Sequence, residues 1–182
     1  VPNTGYHFVN WSDNSTANPR TDSNVTADIS VTANFAINTY TLTYTAGDNG
    51  SISGTTPQTV NYESDGTAVE AVPNTGYHFV NWSDNSTSNP RTDNNVTADI
   101  SVTANFSINI YALSTSGTNG TVTRDPDQST YDHGTQVQLE AHPSVGYHFV
   151  NWFDGEVNYN DNPLSVSMTN NRTLTAIFAI NT

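Results

Sequence analysis

The heptapeptide Gly-Tyr-His-Phe-Val-Asn-Trp occurs three times in this chain, at Gly5–Trp11, Gly76–Trp82 and Gly146–Trp152. The offsets are 71 residues (76 − 5) and 70 residues (146 − 76), so the chain is a tandem array with a period of about seventy residues. A residue needed once for chemistry would not normally be written into every copy, whereas a residue needed to build the fold would be. The motif therefore indicates architecture before it indicates function.

A Thr-Ala-x-Phe ending sets the boundaries between the repeats. Its phenylalanines are Phe35, Phe106 and Phe178. We therefore predict four segments: the C-terminal half of a repeat at 1–35, complete repeats at 36–106 and 107–178, and the start of a further repeat at 179–182. Residues 1–35 match residues 72–106 at 33 of 35 positions, which indicates recent duplication.

The residue pattern inside one repeat is that of short β-strands. Tyr40, Leu42 and Tyr44 alternate with threonines, as in a strand with two different faces. Asn49-Gly50 predicts a tight hairpin turn, and a second hairpin is predicted at Asp65-Gly66. The only helix candidate is the short stretch Ala68–Val72. We expect a mostly β fold with five or six strands per repeat, and the short joints between repeats favour an extended, semi-rigid rod.

The composition excludes several classes of partner. The chain has 17 carboxylates against four arginines and no lysine, which gives a net charge of −13. Binding to nucleic acid or to an anionic membrane surface needs clustered cations, so neither is expected. No apolar run approaches the roughly 18 residues of a membrane helix, so this segment is not expected to insert into a membrane. An acidic, Thr- and Asn-rich chain without cysteine favours an extracellular or cell-surface location.

The ordered motifs resemble a known family. They are the Tyr40–Thr43 strand, Asn49-Gly50, the Tyr131–Thr135 turn, the Gly-Tyr-His-Phe-Val-Asn-Trp strand and the terminal Thr-Ala-x-Phe. Together these resemble the divergent internalin-B-type repeats of bacterial surface proteins, and the resemblance covers essentially the whole chain. It implies small β-grasp-like or all-β domains, used in tandem in secreted or surface-anchored proteins as a stalk, spacer or adhesin segment. It implies no catalytic residue and no cofactor.

The aromatic motif has two interpretations. Strict alternation would place Trp82 on the face opposite Tyr77 and Phe79, so either a bulge near Asn81 turns Trp82 inward or Trp82 covers a second surface. We expect the large rings to form the core of each repeat. The predicted core residues are Tyr77, Phe79, Trp82, Phe106, Tyr147, Phe149, Trp152 and Phe178. The rival interpretation is a sugar-binding platform of Trp11, Trp82 and Trp152, with Tyr62 or Tyr131.

Acidic loops and the repeated histidines are the remaining candidates for binding. Calcium prefers several oxygen ligands from a loop, and the candidates for it are Asp125, Asp127, Asp154 and Glu156. Solvated acidic loops are the preferred interpretation, because no segment matches a known calcium loop. His7, His78 and His148 recur once per repeat, which gives too few ligands for a metal, so we expect half-exposed strand residues.

These observations favour a non-catalytic structural or adhesive repeat segment of a long extracellular bacterial protein, including a role in a surface fibre or filament. The alternative is a carbohydrate-binding accessory module of a secreted enzyme. The expected partners are neighbouring repeats, identical chains that add a strand at residues 1–35, and a host surface or glycan. No nucleophile, phosphate loop or metalloprotease motif is present, so no enzyme activity is expected.

Overall fold

The computed structural model describes residues 1–182, and every regular element in it is a β-strand. Residues 1–35, the half repeat, lead into β1 (Tyr6–Trp11) and β2 (Ala33–Ile37). The first complete repeat contains β3 (Thr39–Ala46), β4 (Gly50–Ser53), β5 (Gln58–Asn61), β6 (Glu70–Pro73), β7 (Tyr77–Trp82) and β8 (Ile100–Ile108). The second contains β9 (Ile110–Gly117), β10 (Gly120–Asp125), β11 (Thr130–Asp132), β12 (Gln136–Pro143), β13 (Tyr147–Phe153), β14 (Asn158–Tyr159), β15 (Leu164–Ser167) and β16 (Arg172–Ile180). The prediction of an all-β tandem array is confirmed.

Each complete repeat forms two sheets, and its first and last strands lie side by side in the larger one. The first complete repeat has the strand orders β5-β3-β8-β7 and β4-β6, and the second has β11-β9-β16-β13-β14 and β10-β12-β15. The central pair is parallel: Leu42 of β3 faces Ile100 of β8, and Ala46 faces Ala104. β9 and β16 pair in the same way. A repeat is therefore closed by residues from its two ends.

The predicted hairpins are wrong in their pairing, although their strands and turns exist. Asn49 takes the left-handed backbone conformation expected of this turn, with φ of 67°. However, β3 and β4 belong to different sheets. Both edges of β3 are occupied, by β5 and by β8, so β4 joins the second sheet and pairs with β6. The second predicted hairpin is wrong for the same reason, because β5 and β6 also lie in different sheets.

The helix candidate Ala68–Val72 is also wrong, because this stretch runs into strand β6. Five residues are too few to support a helix without strong tertiary packing, and the residue before Pro73 is disfavoured in the helical region. The first complete repeat has six strands, within the predicted number, whereas the second has eight. The additional strands β14 and β15 lie in the loop between β13 and β16.

The core of the second complete repeat draws on both of its sheets. β9, β13 and β16 contribute Leu113, Trp152 and Leu174, while β12 and β15 contribute Leu139 and Val166, and all five side chains are buried. Trp82 and Trp152 are fully buried, and the other six residues that the sequence suggested for the core are half-buried: Tyr77, Phe79, Phe106, Tyr147, Phe149 and Phe178. The half-buried phenylalanines stack edge to face in pairs, with Phe149 and Phe178 ring centroids 6.2 Å apart.

The chain divides into two compact units. One contains Val1–Val72 and Val80–Asn105, and the other contains Pro73–Phe79 and Phe106–Thr182. The division falls inside β7 and β8, not at the sequence boundary between the repeats. Each joint between successive repeats therefore lies within a single unit.

Candidate functional site

A β-bulge turns the tryptophan of the motif toward the core. The pairing of β13 with β16 shifts its register between Phe149 and Asn151, and β1 has the same shift between Phe8 and Asn10. The extra residue breaks the strict alternation of the strand. Phe149 and Trp152 consequently lie on one face, with ring centroids 5.7 Å apart. Of the two arrangements that the alternation left open, the structure contains the bulge.

The tryptophan rings do not form a sugar-binding platform. Trp82 and Trp152 are both 0% exposed, and Tyr131 is buried as well. Trp11 and Tyr62 are half-buried. A stacking platform needs an exposed ring face, so the two complete repeats offer none at the motif. These rings instead supply the largest buried side chains of their repeats.

A buried arginine organises the loop between β7 and β8. The Arg91 Nε and Nη2 atoms donate hydrogen bonds of 2.8 and 2.7 Å to the two carboxylate oxygens of Asp93, and Nη1 donates one of 2.8 Å to Asp84. The guanidinium carbon lies 5.6 Å from the centre of the Trp82 ring. The Tyr44 hydroxyl donates to Asp93 at 2.7 Å. We call these five residues the arginine cluster.

The electrostatics of the arginine cluster favour its ionised form. The Arg91 guanidinium holds the pKa of Asp93 below its usual range, and the hydrogen bond from Tyr44 acts in the same direction. Burial raises the pKa of the Tyr44 hydroxyl, and its hydrogen bond to Asp93 raises it further. None of these shifts brings a group toward neutral pH, so the cluster has no candidate for general acid–base catalysis.

The arginine cluster was not predicted, and it answers the question of the acidic loops. Asp84 and Asp93 face a guanidinium, which takes the position that a bound cation would need. The half repeat has the same pattern, with Arg20 between Asp13 and Asp22. The signal was present in the sequence, because Arg lies seven residues after one Asp and two residues before another in both copies.

The first pair of calcium candidates lies at the end of β10. Asp125 is exposed, and Asp127 forms an ion pair of 2.6 Å with Arg124. Its carboxylate is 70% exposed, so the pair is a surface contact of little energetic weight. The two aspartates share no further carboxylate or histidine ligand, and no group of three or more His, Asp or Glu residues in the chain is arranged to hold a metal ion.

The second pair of calcium candidates is divided between two environments. Asp154 accepts hydrogen bonds from the Tyr159 hydroxyl at 2.7 Å and from the backbone N–H groups of Glu156 and Val157 at 3.0 and 2.8 Å. These donors, Tyr159 first, lower the pKa of Asp154 to about 2. Arg172 lies 3.6 Å away. The Glu156 side chain is exposed and takes no part, so Asp154 serves to hold its own loop.

The joints between repeats have a recurring geometry that the sequence did not predict. In the first joint, the Asn38 N–H donates to the Gly5 carbonyl at 2.8 Å, and the Tyr62 N–H donates to the Asn38 carbonyl at 2.8 Å. Gly5 has φ of +78°, and a Cβ atom placed on it would lie 2.2 Å from Cδ1 of Tyr62. Only glycine combines this backbone conformation with so close a ring.

The second joint repeats the first almost atom for atom. The Asn109 N–H donates to the Gly76 carbonyl at 2.8 Å, and the His133 N–H donates to the Asn109 carbonyl at 2.9 Å. Gly76 has φ of +84°, and a Cβ atom on it would lie 2.4 Å from Cδ2 of His133. The ring in this joint is therefore His133, in place of the Tyr62 ring of the first joint.

The third motif carries the same backbone arrangement without the ring. The Asn181 N–H donates to the Gly146 carbonyl at 2.8 Å, and Gly146 has φ of +87°. No atom lies within 4 Å of the place where its Cβ would be. The conformation of the glycine is thus a property of the motif, and the ring contact is a property of the joint.

The motif histidines belong to the joints. His7 Nδ1 lies 2.8 Å from Asn38 Oδ1, and His78 Nδ1 lies 2.9 Å from Asn109 Oδ1. An amide oxygen only accepts, so Nδ1 carries the hydrogen. The histidines are exposed strand residues, as the sequence partly suggested, but each has a partner that sequence reasoning missed. The Ile-Asn pair at every joint was the available signal.

Comparison with protein families agrees with this repeated architecture. The model of the divergent InlB B-repeat domain matches the chain three times, over residues 1–39, 40–110 and 111–182. The chain belongs to this family. The matches leave no residue uncovered, and each B-repeat of the model ends four residues after the phenylalanine that we used as a boundary (39 − 35, 110 − 106 and 182 − 178).

B-repeats are domains of bacterial surface proteins and are generally non-catalytic. No solved structure matches the chain. The structure contains no helix long and apolar enough to span a membrane.

Proposed function

We propose that the chain is a non-catalytic structural segment of a longer extracellular or cell-surface bacterial protein. In this role its B-repeats join end to end and hold other parts of the protein at a fixed distance. The observation that carries the proposal is the recurrence of the joint, with glycine, asparagine and ring in the same places and with backbone hydrogen bonds of 2.8–2.9 Å. An adhesive role, or a role in a fibre, would use the same joints.

The joint suits a spacer because it couples the core strand of one repeat to a turn of the next. Gly76 directly precedes β7, whose Trp82 is buried in its own repeat, while His133 follows β11 of the next repeat. Both sides of the contact are thus anchored in ordered structure. A flexible linker would instead have a run of exposed small residues with no hydrogen bonds across it.

The experiment displays the chain on a bacterial surface between an anchor and an epitope tag, as one copy or as two copies in tandem. Antibody access to the tag should increase from one copy to two. It should exceed that of a glycine–serine linker with the same number of residues. Equal access for one and two copies, or for chain and linker, would contradict the spacer role.

The same purified chain, fluorescently labelled, should be tested on a glycan array. The proposal expects no saturable binding, because the indole faces of Trp82 and Trp152 are buried. Saturable binding that is lost in a Trp11→Ala variant would establish the carbohydrate-binding alternative instead. Trp11 is the informative choice because it is the one motif tryptophan that is only half-buried.

A further inference from the structure

Two nearly identical stretches of this chain lie in different environments. Residues 1–35 match residues 72–106 at 33 of 35 positions, yet Val25 is 56% exposed and its counterpart Val96 is 3% exposed. Phe35 is 42% exposed, whereas Phe106 is half-buried. Since the residues are the same, the difference comes from what covers them.

In the first complete repeat the covering segment is its own front half, residues 36–72. β3 adds parallel to β8. Val96 accepts a hydrogen bond of 2.8 Å from the Glu63 N–H and donates one of 3.0 Å to the Ser64 carbonyl. Asp99 accepts the Thr41 N–H at 2.8 Å. The back half of a repeat is thus shaped to receive a strand–turn–strand segment.

The half repeat lacks every one of these contacts. Asn18, Val25 and Asp28 are the counterparts of residues 89, 96 and 99, and they have no hydrogen-bond partner. β2 begins only at Ala33, whereas β8 begins at Ile100, whose counterpart is Ile29. Four residues that form strand in the complete repeat therefore do not do so here. The edge of β2 that would face a parallel strand is unpaired.

A groove of about 440 Å³ lies beside this edge. Its lining residues are Val1, Asn3, Tyr6, Ala33, Asn34 and Phe35. The second complete repeat shows what fills the corresponding place around its terminal phenylalanine. There the Phe178 ring packs so closely on the β9–β10 turn that a Cβ on Gly117 or Gly120 would lie 3.0 or 2.5 Å from it. Phe35 has the ring but not the turn.

We propose that residues 1–35 form a docking surface for the front half of another B-repeat, which adds its first strand parallel to β2. The occupant is a strand–turn–strand segment with the sequence pattern of residues 36–72. It is identified by complementarity, because 33 of the 35 docking residues already hold that segment in the first complete repeat. This is β-strand addition in which the side chains, as well as the backbone, are matched in advance.

The test adds a synthetic peptide of residues 36–72 to the full chain and follows amide hydrogen exchange by mass spectrometry. Exchange in residues 21–35 should slow by roughly tenfold or more when the peptide saturates the site. Residues 92–106 provide an internal control, because they are already paired and should not change. Fragments from the two segments differ at Ser23 and Asn94, so their masses distinguish them.

A second peptide carrying Leu42→Ser and Tyr44→Ser is the matched control. Both side chains are buried in the first complete repeat, so this peptide should bind on the order of a hundredfold more weakly. A chain with Phe35→Ser should also bind the native peptide more weakly. Phe35 is exposed, so this variant should still fold.

Three results would overturn the proposal. One is the absence of protection at saturating peptide, and another is equal protection in residues 21–35 and 92–106. The third is protection that rises with the concentration of the chain alone, together with a dimer in size-exclusion chromatography. That result would make a second copy the occupant.

Discussion

Replacing Gly76 with Ala should destabilise the second joint more than the same replacement at Gly146 destabilises the third motif. The two glycines have nearly equal φ values, +84° and +87°, and lie in the same heptapeptide. They differ in their surroundings: a Cβ at Gly76 would lie 2.4 Å from the His133 ring, and a Cβ at Gly146 would meet nothing within 4 Å. The pair therefore separates the cost of the backbone conformation from the cost of the ring contact.

The expected magnitudes follow from that geometry. A left-handed backbone costs an L-residue about 1–2 kcal/mol, and Gly146→Ala should lose about this amount. Gly76→Ala should lose a further amount of about 1–3 kcal/mol, because the ring must move to admit a methyl group. Removing the ring should recover the second amount and leave the first, so Gly76→Ala and His133→Ala should be strongly coupled.

The assay is native-state hydrogen exchange of the backbone amide of His133, which donates to Asn109 across the joint. Its opening free energy should be measured in the wild type, in both single variants and in the double variant, with Gly146→Ala as the backbone control. Equal losses for the two glycine variants would refute the argument. A double variant that shows no recovery would also refute it, because the ring would then not be the obstacle.

Three further predictions concern the loops. Arg91→Met should lower the free energy of unfolding by roughly 1–3 kcal/mol in urea denaturation, since it leaves the carboxylates of Asp84 and Asp93 without their cation; an unchanged midpoint would show that the cluster adds no stability. The folded pKa of Asp154 is lowered to about 2, so its contribution is complete above about pH 4 and is lost as the pH falls toward 2; Asp154→Asn should therefore flatten the melting temperature over that range, and an unaltered acid slope would contradict this. Asn119 has φ of 70°, so Asn119→Gly should be nearly neutral whereas Asn119→Val should cost about 1–2 kcal/mol, measured by thermal unfolding of both.

The repeat, its family and its strand content could be read from the sequence because each is a local or periodic signal. A thrice-written heptapeptide sets the period, and alternation around Leu42 indicates strands. The turn at Asn49 could also be predicted, because asparagine followed by glycine favours positive φ. These signals depend only on residues that are close together in the chain.

The pairing of the strands could not be read in the same way. Hairpins were the natural expectation for strands joined by tight turns, but β3 finds its second partner in β8, where Leu42 meets Ile100. No local pattern announces a parallel partner so far along the chain. The same limit applies to the candidate site, because the contact of Gly76 with His133 joins two different repeats.

The arginine cluster and the calcium candidates show a different limit. The acidic residues were visible in the sequence, and carboxylates in loops suit calcium as well as they suit arginine. Only the fold shows that Arg91 points between Asp84 and Asp93 while also covering Trp82. The spacing of arginine and aspartate was repeated in the half repeat, and it becomes informative once the loop is known to be closed.

The parallel pairing of first and last strands has a consequence for synthesis on the ribosome. The partners Leu42 and Ile100 are 58 residues apart (100 − 42), so a repeat cannot close until almost all of it has been made. A waiting front half then meets two back halves of nearly the same sequence, the earlier one at residues 1–35 and its own. Sequence identity between neighbours thus creates a kinetic competition for partners. The divergence of the second complete repeat limits this error to one pair of neighbours.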